Sequence, residues 1–161
     1  MPTPQFILDL RAHIGTAPLW LMGATVIVLR DGPTGPEVLL VRRSDSGAWA
    51  AISGIVDPGE NPAVTAVREA AEEASVEIAI EKMVWMGVTR PHTFPNGDQV
   101  QFVDHGFRAR WVSGEAAVGD EESTEVRWFP VDALPETLHR DLPLMVQRVL
   151  DDPADVILDD F

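Results

Sequence analysis

The 161-residue sequence contains no cysteine, few basic residues and no long apolar run. Without cysteine the chain can neither form disulfides nor use thiol chemistry, and it suits a reducing compartment. No apolar run approaches the roughly 18 residues of a membrane-spanning helix, and the N-terminus lacks the basic-then-apolar order of a signal peptide. These absences predict a protein without a membrane partner, and the cytoplasm is its expected location.

The charge balance is one-sided, with 12 Lys and Arg residues against 26 Asp and Glu residues and a formal net charge of −14. Nucleic acids and anionic membranes attract basic surfaces, so neither is expected as a partner. The same charge opposes a phosphate-bearing ligand unless metal ions and a few well-placed arginines reverse the local field. Length and a hydrophobic content of 45% predict a single domain over residues 1–161, without internal repeats.

Residues 54–76 combine a tight turn with a short helix that carries a carboxylate cluster. Asn61 followed by Pro62 is a strong helix-start signal, because Asn accepts a hydrogen bond from the first turn and Pro tolerates the first helical position. At 100° per residue, Glu69, Glu72 and Glu73 share an arc of roughly 100°. A narrow stripe of small residues predicts close docking on a sheet, with the acids held out on the other side. The stripe consists of Ala63, Val67, Ala70 and Ala74.

Three crowded acids need a compensating interaction, since like charges one turn apart destabilise a helix by a few tenths of a kcal/mol per pair. Convergent carboxylates without cysteine or histidine suit a hard divalent cation such as Mg²⁺ or Mn²⁺. A solvated acidic face is the alternative, and the specific turn and the arginine that accompany the acids argue against it.

The spacing of the polar residues in this stretch resembles the signature box of the Nudix hydrolases. The matching pattern is Gly54, five residues, Glu60, seven residues, then Arg68-Glu69-x-x-Glu72-Glu73. Two positions depart from the family pattern, because Ala70 replaces a bulky aliphatic residue and Ser75 replaces the glycine that usually ends the helix. Ser75 must therefore adopt a left-handed conformation, at a cost of about 1 kcal/mol.

The resemblance covers roughly residues 20–135 and implies the Nudix α/β/α sandwich, a mixed β-sheet between helices, here with an extra N-terminal helix. It implies a pyrophosphohydrolase that uses Mg²⁺, or Mn²⁺, to cleave a phosphoanhydride bond. The expected substrate is a small-molecule nucleotide in which a nucleoside diphosphate is linked to another group, such as a nucleoside triphosphate, an oxidised nucleotide or ADP-ribose. The alternative is a catalytically inactive, nucleotide-sensing module of the same fold, which the retained glutamates argue against.

The box and its neighbours supply the predicted catalytic and metal-binding residues. Glu69 and Glu73, one helical turn apart, are the principal metal ligands, and Glu72 binds a second metal or orients the water. The resemblance also implies a backbone carbonyl ligand near Ser53. The predicted catalytic residues are Glu69, Glu72 and Glu122. Of these, Glu72 and Glu122 are both candidates for the general base. The residues expected to support the site are Gly54, Glu60 and Arg68, with Arg68 pairing with Glu60.

The acidic segment 119–129 resembles the part of Nudix enzymes that often places one more glutamate near the metals, and the distance in sequence to Trp128 makes Glu122 the first choice. Glu121 and Glu125 are the alternatives within this segment, and a solvated acidic loop is the competing interpretation. In the predicted strand 100–110, Asp104 and His105 lie in the middle, on opposite faces, which suggests that at least one face of the strand meets solvent or a pocket.

Three arginines outside the box are candidates for substrate binding. Arg42 and Arg43 end a predicted strand just before the box, where guanidinium groups grip phosphate oxygens or remain solvated strand-end charges. Arg90 lies with His92 in the predicted loop 89–98, in which Asn-Gly is a strong turn signal. Simple hairpin decoration is the alternative for both residues of this loop.

Apolar spacing predicts two further helices, one inside an N-terminal extension of residues 1–19 and one at residues 141–151. The N-terminal helix is interpreted as a packing element in preference to a dimerisation arm, and a homodimer stays open. Strands are predicted at 21–30, 38–41, 76–80, 83–88, 100–110 and 125–129, with a turn and a short helical piece at 130–135.

Overall fold

In the computed structural model, which describes residues 3–158, a mixed β-sheet carries helices on both faces. The strands are β1 (Leu19–Gly32), β2 (Gly35–Arg43), β3 (Trp49–Ala50), β4 (Ile52–Ile55), β5 (Glu77–Val88), β6 (His92–Thr93), β7 (Gln99–Ser113), β8 (Ser123–Pro130) and β9 (Ile157–Leu158). The helices are α1 (Gln5–Ile14), α2 (Pro62–Ala74) and α3 (Leu142–Leu150). This is the predicted sandwich of a mixed sheet between helices, with an additional N-terminal helix.

Strand β1 organises the sheet, whose main strand order is β3-β2-β1-β7-β5-β9. It pairs in parallel with β7 over eleven positions, from Leu19 opposite Val100 to Leu29 opposite Arg110. Its N-terminal half also pairs antiparallel with β4, and its C-terminal end pairs with β2. The short strand β4, which carries Ser53 and Gly54, is therefore fixed beside the centre of the sheet.

Helix α2 docks tightly on one face of the sheet through alanines that are fully buried. These are Ala66, Ala70 and Ala74. The predicted stripe is wrong at Val67, whose side chain is 39% exposed. The prediction that the acids point away from the docking face is also wrong for Glu69 and Glu73, which are 1% and 6% exposed. The helix is rotated so that these two acids lie beside the buried alanines.

The two ends of α2 confirm the local predictions. The Asn61 side chain accepts a hydrogen bond from the Ala63 N–H at 3.0 Å, and Pro62 occupies the first helical position. Ser75 ends the helix in the left-handed conformation, with φ 57° and ψ 32°.

Helix α3 covers the opposite face, where Leu142, Val146 and Val149 pack with Trp85 and Ile27. Helix α1 packs at one end of the sheet, where Ile7 lies against Leu21 and Val100. Within residues 3–158, none of the helices is long and apolar enough to span a membrane.

Three sequence-based expectations differ from the structure. The two strands predicted at 76–80 and 83–88 are one strand, β5, whose pairing with β7 shifts register near Lys82 and Trp85. Residues 130–135 form a turn without a helical piece. The short acidic segment beyond Pro153, for which the sequence predicts no strand, contributes β9 beside β5. Residues 1–2 and 159–161 of the predicted domain lie outside the described residues.

Candidate active site

An open cavity of about 650 Å³ lies beside β4 and the N-terminal half of β1. Seven of the predicted site residues border it: Arg43, Ser53, Gly54, Glu69, Glu73, Arg90 and Glu122. The other four do not: Arg42, Glu60, Arg68 and Glu72. The cavity therefore collects residues from a strand end, the box helix and two loops that are far apart in sequence.

The Glu69 side chain packs directly against the backbone of β4 at Gly54, in the space that a side chain on Gly54 would fill. A Cβ atom on Gly54 would overlap the Glu69 carboxylate. Gly54 does not have a positive φ, so the position requires glycine for close approach and not for backbone conformation. Burial raises the pKa of Glu69 to about 7, although Arg68 opposes this effect.

Arg68 is the counter-charge that holds the turn and the helix together. Its guanidinium donates to both carboxylate oxygens of Glu60, at 3.1 and 3.0 Å. It also donates to Glu69 Oε1 at 2.8 Å and to Glu72 Oε2 at 3.2 Å. The hydrogen bonds from Arg68 lower the pKa of Glu60 to about 2. Arg68 therefore positions the acids from behind, while Glu72 remains at the surface.

Glu73 is a buried carboxylate that forms no hydrogen bond or ion pair with any residue in the range 3–158 through its side chain. Burial, together with the charges of Glu69, Asp120 and Glu122, raises the pKa of Glu73 to about 8. A buried charge without a partner is costly, and a cation is the partner that relieves it. This carboxylate borders the open cavity, where a cation has access.

The loop before β8 is fastened to the C-terminal end of α2 and brings Glu122 to the cavity. The N–H groups of Ala117 and Gly119 donate to the carbonyls of Ala74 and Glu73 at 3.1 and 3.0 Å. The Glu122 carbonyl accepts from the Ser44 N–H at 2.8 Å. Asp120 and Glu122 of this loop both act on Glu73 through their charges, and of these two Glu122 borders the cavity.

The three candidate arginines have different surroundings. Arg43 borders the cavity and donates to both oxygens of Asp45, at 3.0 and 2.6 Å, which lowers the pKa of Asp45 to about 2. Arg42 lies away from the cavity and pairs with Glu125 at 2.6 Å. Arg90 is exposed at the cavity rim and forms no ion pair within the described part of the chain.

The donor set is compatible with a hard divalent cation. Among residues 3–158, no three Asp, Glu, His or Cys side chains are grouped closely enough to hold a metal ion by themselves. Mg²⁺ does not need such a group, because it is commonly bound by one or two carboxylates together with waters and substrate phosphates. The buried oxygens of Glu69 and the unpaired carboxylate of Glu73 meet this requirement.

Among the further residues that border the cavity are Asp104 and Phe94, which received no site role from the sequence, and His92, which was left open between substrate contact and hairpin decoration. Asp104 of β7 is 5% exposed and accepts hydrogen bonds from Thr25 Oγ1 at 2.8 Å and Trp85 Nε1 at 2.9 Å. Burial raises the pKa of Asp104. His92 and Phe94 form an edge-to-face pair, with ring centroids 4.6 Å apart. The signal that the sequence offered for Asp104 was an acid in the middle of a predicted strand. The sequence of the hairpin gave no comparable signal for Phe94.

A model of the NUDIX domain family matches residues 20–149, and the chain belongs to this family. Among curated relatives, the NAD-capped RNA hydrolase NudC of Pseudomonas aeruginosa (strain LESB58) is 35% identical over 116 residues, which are 71% of this chain and 36% of the relative. The same-named protein of Pseudomonas putida (strain W619) is 31% identical over 129 residues, which are 79% and 41% of the two chains. This chain therefore spans little more than a third of the length of these relatives.

Solved structures agree with this assignment. A MutT NUDIX hydrolase from Burkholderia pseudomallei is 26% identical with a TM-score of 0.61, over 81% of this chain and 98% of that one. The Nudix hydrolase RenU of M. smegmatis is 25% identical with a TM-score of 0.64, over 83% and 86% of the two chains. These comparisons confirm the predicted family and fold.

Proposed function

We propose that the chain hydrolyses a phosphoanhydride bond in a nucleoside diphosphate linked to another group, with Mg²⁺ as its metal and Mn²⁺ as a substitute. The observation that carries the proposal is the buried, unpaired carboxylate of Glu73 beside Glu69 at an open cavity. Family membership supports the reaction class, since the relatives named above are hydrolases. We place the reaction in the cytoplasm.

Glu69 and Glu73 would hold the metal, together with the backbone carbonyl of Ser53. Bound there, the metal neutralises phosphate oxygens and lowers the pKa of a coordinated water. Arg68 keeps the Glu69 carboxylate oriented, through the 2.8 Å hydrogen bond to its Oε1 atom. The carboxylates must lose their protons to accept the metal, so loading becomes more favourable as the pH rises through about 7 for Glu69 and about 8 for Glu73.

Glu122 is our choice for the general base. Glu122 borders the same cavity as Glu73. Glu72 does not border the cavity, and its carboxylate forms an ion pair with Arg68. Arg43 and Arg90 are our choice for binding phosphate oxygens, because both guanidinium groups border the cavity. Arg42 supports the strand end through its pair with Glu125.

For the substrate we favour a dinucleotide or nucleoside diphosphate sugar, such as NAD or ADP-ribose. A cavity of about 650 Å³ lies in the range of pockets that enclose a ligand of this size. The rings of His92, Phe94 and Phe102 border it and offer surfaces for a flat base. The printed name of the curated relatives refers to an NAD cap on RNA, which supports the dinucleotide.

Product release from NAD, ADP-ribose, a nucleoside triphosphate and an NAD-capped RNA, each with Mg²⁺ and with EDTA, tests the proposal. We expect Mg²⁺-dependent cleavage of the diphosphate bond, ranked by kcat/KM. Capped RNA is included to test the expectation, from the net charge of −14, that nucleic acid is not a partner. Absence of metal-dependent release across the whole panel would support the nucleotide-sensing alternative.

Matched variants test the role of the metal-binding acid. Glu73→Gln should lower kcat at least a hundredfold with the fold intact, because it removes the unpaired charge and keeps the side-chain shape. Glu115→Gln is the control, since Glu115 is an exposed acid outside the cavity. Near-normal turnover by Glu73→Gln would refute the metal assignment.

A further inference from the structure

Asp104 is a buried acid that the proposed hydrolysis does not use, although it borders the same cavity as Glu69 and Glu73. Its carboxylate joins three strands. Oδ1 accepts from the Thr25 hydroxyl of β1 at 2.8 Å, and Oδ2 accepts from the Trp85 indole of β5 at 2.9 Å. A carboxylate offers about four acceptor positions, so these two hydrogen bonds leave room for further donors.

The cavity side of this carboxylate is left open by Gly23. A Cβ atom on Gly23 would lie 3.3 Å from Asp104 Oδ1 and 3.5 Å from Phe102 Cδ1. Gly23 does not have a positive φ, so its backbone does not require glycine. Gly23, Thr25, Phe102 and Asp104 all border the cavity. Asp104 is 5% exposed, and the missing side chain of Gly23 leaves space between its Oδ1 atom and the cavity, beside the Phe102 ring.

The opposite side of the carboxylate is fixed by Trp85. The indole is fully buried, and a Cβ atom on Gly106 would overlap its ring. Close packing of the ring against the β7 backbone holds the indole N–H in place toward Oδ2. Trp85 thus fixes the Oδ2 atom of Asp104, and the Oδ1 atom lies toward Thr25 and the cavity.

We propose that Asp104 accepts a hydrogen bond from an N–H group of the substrate's nucleobase and thereby determines which base is bound. This inference rests on the proposed hydrolysis of a nucleotide. The neighbouring Phe102 ring favours a base over a sugar hydroxyl, because a flat ring packs against an aromatic face while its edge reaches the acceptor. A site built around a buried acceptor rejects an analogue that lacks the matching donor, since the acceptor then loses its partner.

Asp104→Asn is the decisive variant because it keeps both structural hydrogen bonds. The asparagine oxygen takes the Oδ2 position, where it accepts from Trp85. The amide nitrogen then takes the Oδ1 position and donates to the Thr25 hydroxyl, which also serves as an acceptor. The group that faces the cavity changes from an acceptor to a donor, while the shape of the side chain is retained.

Three substrates are compared: ADP-ribose and two analogues in which adenine is replaced. Purine lacks the 6-amino group of adenine, and hypoxanthine carries a carbonyl in its place. The wild type should prefer adenine over purine by about 10- to 100-fold in kcat/KM. Asp104→Asn should lose this preference and gain activity on hypoxanthine relative to adenine. No preference in the wild type, or an equal change on all three substrates, would overturn the proposal.

Two further variants separate recognition from folding. Gly23→Ala puts a Cβ atom 3.3 Å from Asp104 Oδ1, so it narrows the opening and shifts the carboxylate by a few tenths of an ångström. This variant should reduce the adenine preference while the protein still folds. Trp85→Phe removes one anchoring donor and should lower thermal stability with the preference kept. The same loss of preference in Trp85→Phe as in Asp104→Asn would assign Asp104 a structural role only.

A binding measurement distinguishes failure of this inference from failure of the proposed hydrolysis. AMP and purine riboside monophosphate are titrated calorimetrically in EDTA, where no turnover occurs. Tighter AMP binding that disappears in Asp104→Asn supports the role of Asp104 even without hydrolysis. Equal affinities of the two ligands for the wild type, alongside normal Mg²⁺-dependent cleavage of ADP-ribose, would refute the role of Asp104 and leave the hydrolysis intact.

Discussion

Replacing Glu73 by Gln should stabilise the metal-free protein, and the gain should appear only as the pH rises. Glu73 is 6% exposed, and its side chain forms no ion pair within residues 3–158; Arg43 acts on it only through longer-range attraction. Its burial raises the pKa of this carboxyl from 4.5 to about 8. Gln resembles the protonated acid in shape and polarity but never ionises.

The sign and the size of the effect follow from proton linkage. Because the folded-state pKa is raised, the folded chain binds this proton more tightly than the unfolded chain. The resulting stability is fully present below pH 4.5 and is lost as the pH rises through about 8. Each pH unit in this window costs about 1.4 kcal/mol, so full ionisation of Glu73 costs the metal-free fold on the order of 5 kcal/mol. For a chain of this length that corresponds to roughly 10–20 °C in Tm.

Thermal unfolding in EDTA at pH 5, 7 and 9 measures the difference. We expect Glu73→Gln and the wild type to unfold at similar temperatures at pH 5 and to diverge progressively by pH 9. Saturating Mg²⁺ should restore the wild type and leave the variant unchanged, because ligand binding to the folded state adds to stability. The exposed control Glu115→Gln should show no such divergence. A Tm difference that is the same at all three pH values would refute the reasoning.

Three further changes test the box. Ser75→Gly should raise the free energy of unfolding by about 1 kcal/mol, since Ser75 has φ 57°, and urea denaturation measures it. Gly54→Ala should lower kcat by about a hundredfold or more in Mg²⁺-dependent turnover, because the added methyl displaces the Glu69 carboxylate; normal turnover would contradict the close approach. Arg68→Ala should cost about 3 kcal/mol at pH 7, because the pKa of Glu60 is held near 2 by this arginine. That cost should shrink as the pH falls from about 4.5 toward 2, and a pH-independent loss in denaturant titrations would count against it.

Local sequence was sufficient for the ends of the box helix. Asn61 and Pro62 define its start through groups within three residues of one another, and Ser75 takes the conformation that the position demands. These features depend on short-range backbone geometry, which the order of residues determines. The fold could be predicted from the family resemblance, because that resemblance depends on the spacing of residues along the sequence.

Burial of the acids depended on contacts that the sequence does not order. Helical periodicity placed Glu69 and Glu73 together but could not show that the missing side chain of Gly54, on another element, opens a space for Glu69. The neighbours Arg42 and Arg43 have opposite outcomes, since one pairs with Glu125 and the other borders the cavity. Because successive side chains of a strand point to opposite faces, the sequence predicts that only one of the two arginines faces the site, but not which one.

The tether between the loop before β8 and helix α2 has a consequence for how this protein can diversify. Surface loops usually tolerate changes in length. Here the N–H groups of Ala117 and Gly119 are already committed to helix carbonyls, and a Cβ atom on Gly119 would overlap the Glu72 carbonyl. An insertion between these positions would shift Glu122 relative to Glu73. New substrate ranges are therefore most readily engineered in the hairpin at residues 89–98, whose turn can be lengthened without altering the spacing of the acids.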